Sequence, residues 1–454
     1  MADPTTATNR YLSGAYAPLD TEHSTGELAV TGTLPPELDG RYLRNGPNPI
    51  AAPDPDRYHW FTGDAMVHGI RLRDGRAEWY RNRWVRSTAV SEALGELPAP
   101  GERHGGADTA NTNVIGHAGR TLALVEAGAR PVELTDELDT ICHSDLDGTL
   151  PHGFTAHPKR DPGTGELHAV SYYWGRSELL EVVVVGTDGR VRRRVDVPVP
   201  GSPMVHDCSI TESSVVLYDL PVTFDLDAAM SGTSFPYAWD HDYGARVGLL
   251  PHEGDAGDVR WFEVEPCYVF HPLNAHDDGD TVVLDVIRHP RMFDADRLGP
   301  NEGPPSLWRW TLDRTTGRAH ERQLDDRPVE FPRVDERLVG RSHRYGWATG
   351  LSMADDGVGW DQGTLVRYDT TTGEVTEVDF GPGRTIGEAV FVPRSTDAAE
   401  DDGWYLTLVT DRATDRSELA VLDASAPGEG PVARVHLPTR VPLGFHGNWI
   451  PTPA

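Results

Sequence analysis

A chain of 454 residues with 71 acidic and 41 basic side chains has a formal net charge of −30. Its hydrophobic share of 38% and charged share of 25% are those of a chain with a packed core, which excludes a disordered polymer. The negative field excludes nucleic acid or an anionic membrane as the main partner, because phosphate is bound by clustered Lys and Arg, and Lys159 is the only lysine.

The N-terminal stretch MADPTTATNRYLSG lacks the basic start and apolar middle of a signal peptide. No segment approaches the roughly 18 apolar residues of a membrane helix; the longest run, 179–185, is broken by Glu181. Cys142, Cys208 and Cys267 form no CxxC pair and read as buried thiols in a reducing compartment. These features predict a cytoplasmic protein without a transmembrane segment. They leave peripheral membrane contact and the oligomeric state open.

Further along, short β-rich runs recur: TLALVEA (121–127), LHAVSYYW (167–174), SVVLYDL (214–220), TVVLDVI (281–287), AVFVPR (389–394) and WYLTLVT (404–410). Hairpin turn signals separate such runs, among them RDGR, DPGTGE, GTDGR, DRTTGR and DTTTGE. The pattern continues without a linker or break in composition, so an all-β propeller is preferred to a pair of sandwiches, with the whole chain, 1–454, as one domain. Seven blades would take about 65 residues each, against roughly 40–50 in simple repeat blades, so insertions are expected on one face. The candidates are 91–112, 223–248 and 289–305, the second with a short helix in DLDAAMSG.

Four of the 19 histidines stand among apolar or turn residues: His157 in TAHPK, His206 in MVHDCSI, His271 in YVFHPLNAH and His446 in PLGFHGNW. Singly, each reads as a hydrogen-bonded structural histidine. Their separations of 49, 65 and 175 residues are roughly one, one and three blade lengths. Equivalent strand positions in successive blades converge on the propeller axis, and four imidazoles there would suit iron, copper or zinc. Cys208 and Cys267 lie near two of these histidines, but the short local ligand pairs of structural zinc are missing, so both read as core. His68 and His276 read as structural, Lys159 as a loop or ion-pair contact, and the acidic run 397–402 as a solvated loop.

Nine blocks in order resemble the carotenoid cleavage oxygenases: NRYLSGAYAP (9–18), GRYLRNGPNP (40–49), HWFTGDAMVHGI (59–70), ANTNVIGHAGRTLALVEAG (110–128), TAHPK (155–159), MVHDCSIT (204–211), FHPLNAHDD (270–278), GEAVFVPR (387–394) and GFHGNWIP (444–451). The resemblance implies a seven-bladed β-propeller with a loop and helical dome over one face. It implies non-haem Fe(II) on His157, His206, His271 and His446, with Glu126, Glu330 and Glu388 hydrogen-bonding three of the four imidazoles. Such carboxylates fix the tautomer and orientation of a metal-bound ring. The implied reaction adds O2 across an electron-rich double bond of an apolar alkene, a carotenoid or apocarotenoid, giving two carbonyl products. Members that cleave stilbenes and vinylphenols carry a Tyr and a Lys for the 4-hydroxyl; the corresponding places here are Trp84, in NRWVRS (82–87), and Val125. Neither can neutralise a phenolate, so polyenes are expected over 4-hydroxystilbenes. The alternatives are a stilbene- or vinylphenol-cleaving oxygenase, an isomerase of the same family, and a non-catalytic propeller scaffold. Thr62 and Ala65 replace the Asp and Gly of FDGDGMVH in many relatives, and Ala389 stands where proline is common; both departures bear on loop geometry and leave the ligand set intact.

Overall fold

The structure, a computed structural model, describes residues 9–453 apart from 107, 301 and 355–359. The first eight residues of the stretch read above for a leader lie outside the described residues. Seven antiparallel sheets form the blades of a propeller. Their innermost strands are Asn113–His117, Lys159–Arg160, Ser209–Ile210, Pro272–Asp278, Val329–Val334, the divided pair Arg384–Ile386 and Val390–Pro393, and Gly447–Pro451.

The turn signals do what their chemistry requires. In RDGR, Asp74 (φ 49°) and Gly75 (φ 68°) both take positive φ between the paired strands Ala65–Arg73 and Arg76–Trp84. Asp-Gly reaches that conformation at little steric cost, and its twist matches that of the strands. The ring is closed twice. Gly40–Pro47 pairs with the C-terminal Gly447–Pro451, and Val30–Gly32 pairs with Pro431–His436. Each closing sheet therefore holds strands from both chain ends, so neither forms until the whole chain is in place. Apolar side chains fill the space between blades, with Trp310, Trp347, Tyr42 and Tyr80 among the largest fully buried.

The first insertion begins within the helix Thr88–Leu94, capped by the Ser87 side chain, which accepts from Val90 N, and ended at Gly95 with φ 67°. The second is the hairpin Val222–Phe224 with Tyr237–Trp239, carrying the helix Leu226–Met230. Its predicted end at 248 runs too far: Arg246–Pro251 is a blade strand, paired residue for residue with Ser214–Asp219. The third insertion, 289–305, fills the interval between the blade strands Thr281–Arg288 and Ser306–Asp313.

Two smaller expectations need correction. Cys142 is half-buried on an outer strand, unlike the buried Cys208 and Cys267. The acidic run 397–402 is not simply solvated: Glu400 accepts the backbone N–H of Arg344 and Tyr345, and Asp401 and Asp402 pair with Arg367 and Arg394.

Candidate metal centre and apolar cavity

His157, His206, His271 and His446 each stand one to three residues before an innermost strand, at the end of the propeller axis nearer the dome. That shared position brings together residues up to 289 apart in sequence. All four are buried, and their ligand nitrogens lie within 4.8 Å of one another. The Nε2 atoms of His157 and His206 are 3.0 Å apart, and those of His206 and His271 are 3.1 Å apart. Two nitrogens at that spacing fit a right angle around an ion with bonds of about 2.1 Å. The donor set therefore fits a borderline transition metal.

Three carboxylates hold three of the rings from behind. Glu126 lies 2.7 Å from His206 Nδ1, Glu330 accepts from His271 Nδ1 at 2.6 Å, and Glu388 accepts from His446 Nδ1 at 3.0 Å. A proton on each Nδ1 leaves the Nε2 lone pair directed at the common point. The carboxylates are themselves tied down. Glu330 accepts a second bond from His289 Nε2 at 2.7 Å, and Glu388 accepts from Arg333 at 3.1 Å and from Gly447 N at 3.0 Å. Burial would raise both acids, but the imidazole beside Glu330, and Arg333 and His446 beside Glu388, hold them below the ordinary range, so both are ionised at neutral pH. Burial, with His446 and the other two imidazoles, pushes His157 far below the ordinary imidazole range, and burial takes His446 down to about 3. Neutral rings are what a metal ion requires. His271 moves the other way: burial opposes it, and the adjacent Glu330 raises it.

His157 is the exception. Asp207 stands 3.8 Å from its Nδ1, beyond hydrogen-bond reach, and instead takes Lys159 Nζ at 2.8 Å. Lys159 is thus half of an ion pair, one of the two readings its sequence context allowed.

A cavity of about 600 Å³ reaches His206, His271 and His446 from the dome side. Its walls are aromatic, including Phe61, Tyr172, Phe235, Tyr237, Phe270 and Phe445, and all three insertions contribute residues. Among the described residues, no lysine or arginine lines it.

The family model described as retinal pigment epithelial membrane protein matches residues 16–451. A carotenoid cleavage oxygenase of Mycobacterium tuberculosis is 50% identical, over 98% of this chain and 98% of that protein. The chain belongs to the carotenoid cleavage oxygenase family. A carotenoid 9,10(9',10')-cleavage dioxygenase of Crocus sativus is 35% identical, covering 97% of this chain and 89% of that protein. The crystal structure of Pseudomonas brassicacearum lignostilbene dioxygenase superposes with a TM-score of 0.88 at 30% identity, covering 99% of this chain and all of that one. This member of the family is an enzyme, a dioxygenase.

Of the residues read from sequence in this oxygenase, the four histidines and three glutamates form one connected cluster, and Val125 lines the apolar cavity. Trp84 does not line it. Its indole N–H donates to Asn48 O at 2.8 Å, and its ring packs with Met66 and Val90, where it anchors the helix Thr88–Leu94. His68 bonds Tyr80 OH at 2.9 Å, away from the centre. The aromatics beside the site, Phe270, Phe331 and Phe445, went unread, although each is the immediate neighbour of a residue that was singled out. Asp207 and Arg333 were also missed. Asp207 follows His206 directly, whereas Arg333 gave no signal beyond lying three residues after Glu330.

Proposed function

We propose that this oxygenase uses Fe(II), held by His157, His206, His271 and His446, to cleave a C=C bond of an apolar polyene with O2, giving two carbonyl products. The observation that carries this is the meeting of four buried, converging imidazoles with the inner end of an aromatic cavity. Bound Fe(II) would supply the redox chemistry that lets O2 react with an alkene. The chain does the rest. Glu126, Glu330 and Glu388 hold protons on the three Nδ1 atoms and fix the rings. Phe270 and Phe331 pack on His206 and His271, Phe445 lines the cavity with them, and together they keep water from the reacting end of the substrate.

A carotenoid or apocarotenoid fits the wall chemistry better than a 4-hydroxystilbene. A buried phenolate needs a cationic partner, Val125 offers none, and the cavity's carboxylates Glu126 and Glu330 would repel it. Stilbene cleavage is the second reading, favoured by the structural likeness to a lignostilbene dioxygenase. Protein reconstituted with iron under anaerobic conditions and then given O2 with an apocarotenal or with resveratrol separates the two. The apocarotenal is expected to turn over faster, with aldehyde products. Faster cleavage of resveratrol would replace this reading with the second, and full activity with stoichiometric zinc and no iron would refute the redox chemistry.

A further inference from the structure

The histidine cluster is reached by a second cavity, which enters from the face opposite the dome. It holds about 570 Å³ and runs from exposed residues, among them Ala118, Asp136 and Pro451, to the buried His157, His271 and His446. Its walls follow the innermost strands away from the site, with alternate residues such as Asn113, Ile115 and His117, or Asn448 and Ile450, contributing. His271 and His446 line both cavities, so the centre sits between an apolar chamber and a polar one.

The polar walls do not amount to an anion site, because their cations are already paired. Arg41 holds Asp136 at 2.9 Å, Lys159 holds Asp207 at 2.8 Å, and Arg333 holds Glu388 at 3.1 Å. Arg71 and Arg120 face Asp39 and Asp147. Arg160 bonds backbone carbonyls of Gly116 and Gly165. Two carboxylates, Asp207 and Glu388, stand at the inner end, against the histidines.

The four histidines come from separate blades, and the ring closes by pairing the two chain ends, so the site does not exist before the propeller has folded. A metal ion restored to the folded protein must therefore pass through a finished propeller. A hydrated dication pays a heavy desolvation cost in an aromatic chamber and far less between ion pairs and side-chain amides. We propose that the polar axial channel is the entry and exit route of the metal ion, and that the dome cavity serves the substrate alone. This rests on the reading of the four histidines as the metal centre.

The test uses chelator-stripped full-length protein and the rate at which it takes up Co(II), followed by visible absorbance. Ile115→Trp and Ile450→Trp narrow the channel from different strands without touching the histidines, glutamates or ion pairs. Each is expected to slow Co(II) uptake by about tenfold or more while reaching the wild-type stoichiometry. A non-ionic detergent filling the apolar cavity should leave the wild-type rate unchanged. Lys159, the sole lysine, gives a check that needs no variant. A water-soluble amine reagent should modify it in detergent-filled protein, as located by mass spectrometry. Wild-type uptake rates in a folded tryptophan variant, strong slowing by detergent, or a Lys159 that the reagent does not modify would overturn the channel. Wild-type protein that takes up no Co(II) at all would instead overturn the metal centre, and the channel with it.

Discussion

At the scale of single residues, each imidazole has one nitrogen committed to the centre, and for three of them a glutamate commits the other. His206→Ala or His446→Ala removes a donor and leaves Glu126 or Glu388 facing a void, so bound metal and activity should be lost together while the propeller still folds. Metal analysis of the purified variants checks this, and stoichiometric iron in His206→Ala would remove that residue from the ligand set. Glu388→Gln should be milder: the amide oxygen can still accept from His446 Nδ1, but the charge is gone and Arg333 loses its buried partner. A loss of roughly 10–100-fold in metal affinity or turnover is expected, measured by competition with a chelator and by initial rates. The four histidines were legible from their apolar or turn settings and blade-length spacings, whereas the three glutamates were legible only through the family resemblance. Trp84 misled because strand alternation, not the neighbouring motif, decides which way a side chain faces. Met66 pairs with it across the sheet, and both point toward the helix Thr88–Leu94.

At the scale of elements, the blade strands fix the metal centre and the insertions shape the cavity, so the two should be separable. The hairpin Val222–Phe224 with Tyr237–Trp239 ends in the pair Phe224 and Tyr237. Replacing 225–236 with Asn-Gly should close it as a two-residue turn of matching twist. The change removes Leu226, Met230 and Phe235 from the cavity wall and touches no histidine or glutamate of the centre. Metal content should stay at the wild-type level, while kcat/KM for an apocarotenal falls by about tenfold or more through lost apolar contact. Loss of metal in this variant would show that the insertion supports the centre as well. The blade strands themselves were readable from β-rich runs and Asp-Gly or Thr-Gly turns. The irregularities next to the site were not. Phe331, at φ 53°, sits in a register shift between Glu330 and Arg333, which sets Glu330 against His271 and lays the Phe331 ring over that histidine with centroids 5.4 Å apart. A phenylalanine in the left-handed region is held there by its surroundings, and nothing in the local sequence marks it.

For the whole molecule, double closure makes folding a single event in which polar groups scattered along the chain are buried together. Several are histidines outside the metal centre. Burial takes both His59 and His68 down to about 3 from an ordinary 6.5. His59 stacks on Phe235 at 4.2 Å, and His68 bonds Tyr80 inside the first blade. The sign of the pH dependence follows. Below pH 6.5 the unfolded chain takes a proton on each ring, and the folded protein does not until about pH 3. The unfolded state therefore binds more protons across that interval, and the contribution of these rings to stability is complete above the interval and is lost as the pH falls through it. One proton corresponds to a slope of about 1.4 kcal/mol per pH unit. His68→Gln keeps a side chain able to bond Tyr80 but takes no proton. Whatever it costs at pH 7, its stability should fall less steeply than the wild type's between pH 6 and 4, by up to about that slope. Urea unfolding of the metal-free protein at pH 7, 6, 5 and 4 measures the difference, and parallel curves for the two proteins would mean that His68 already carries a proton in the fold.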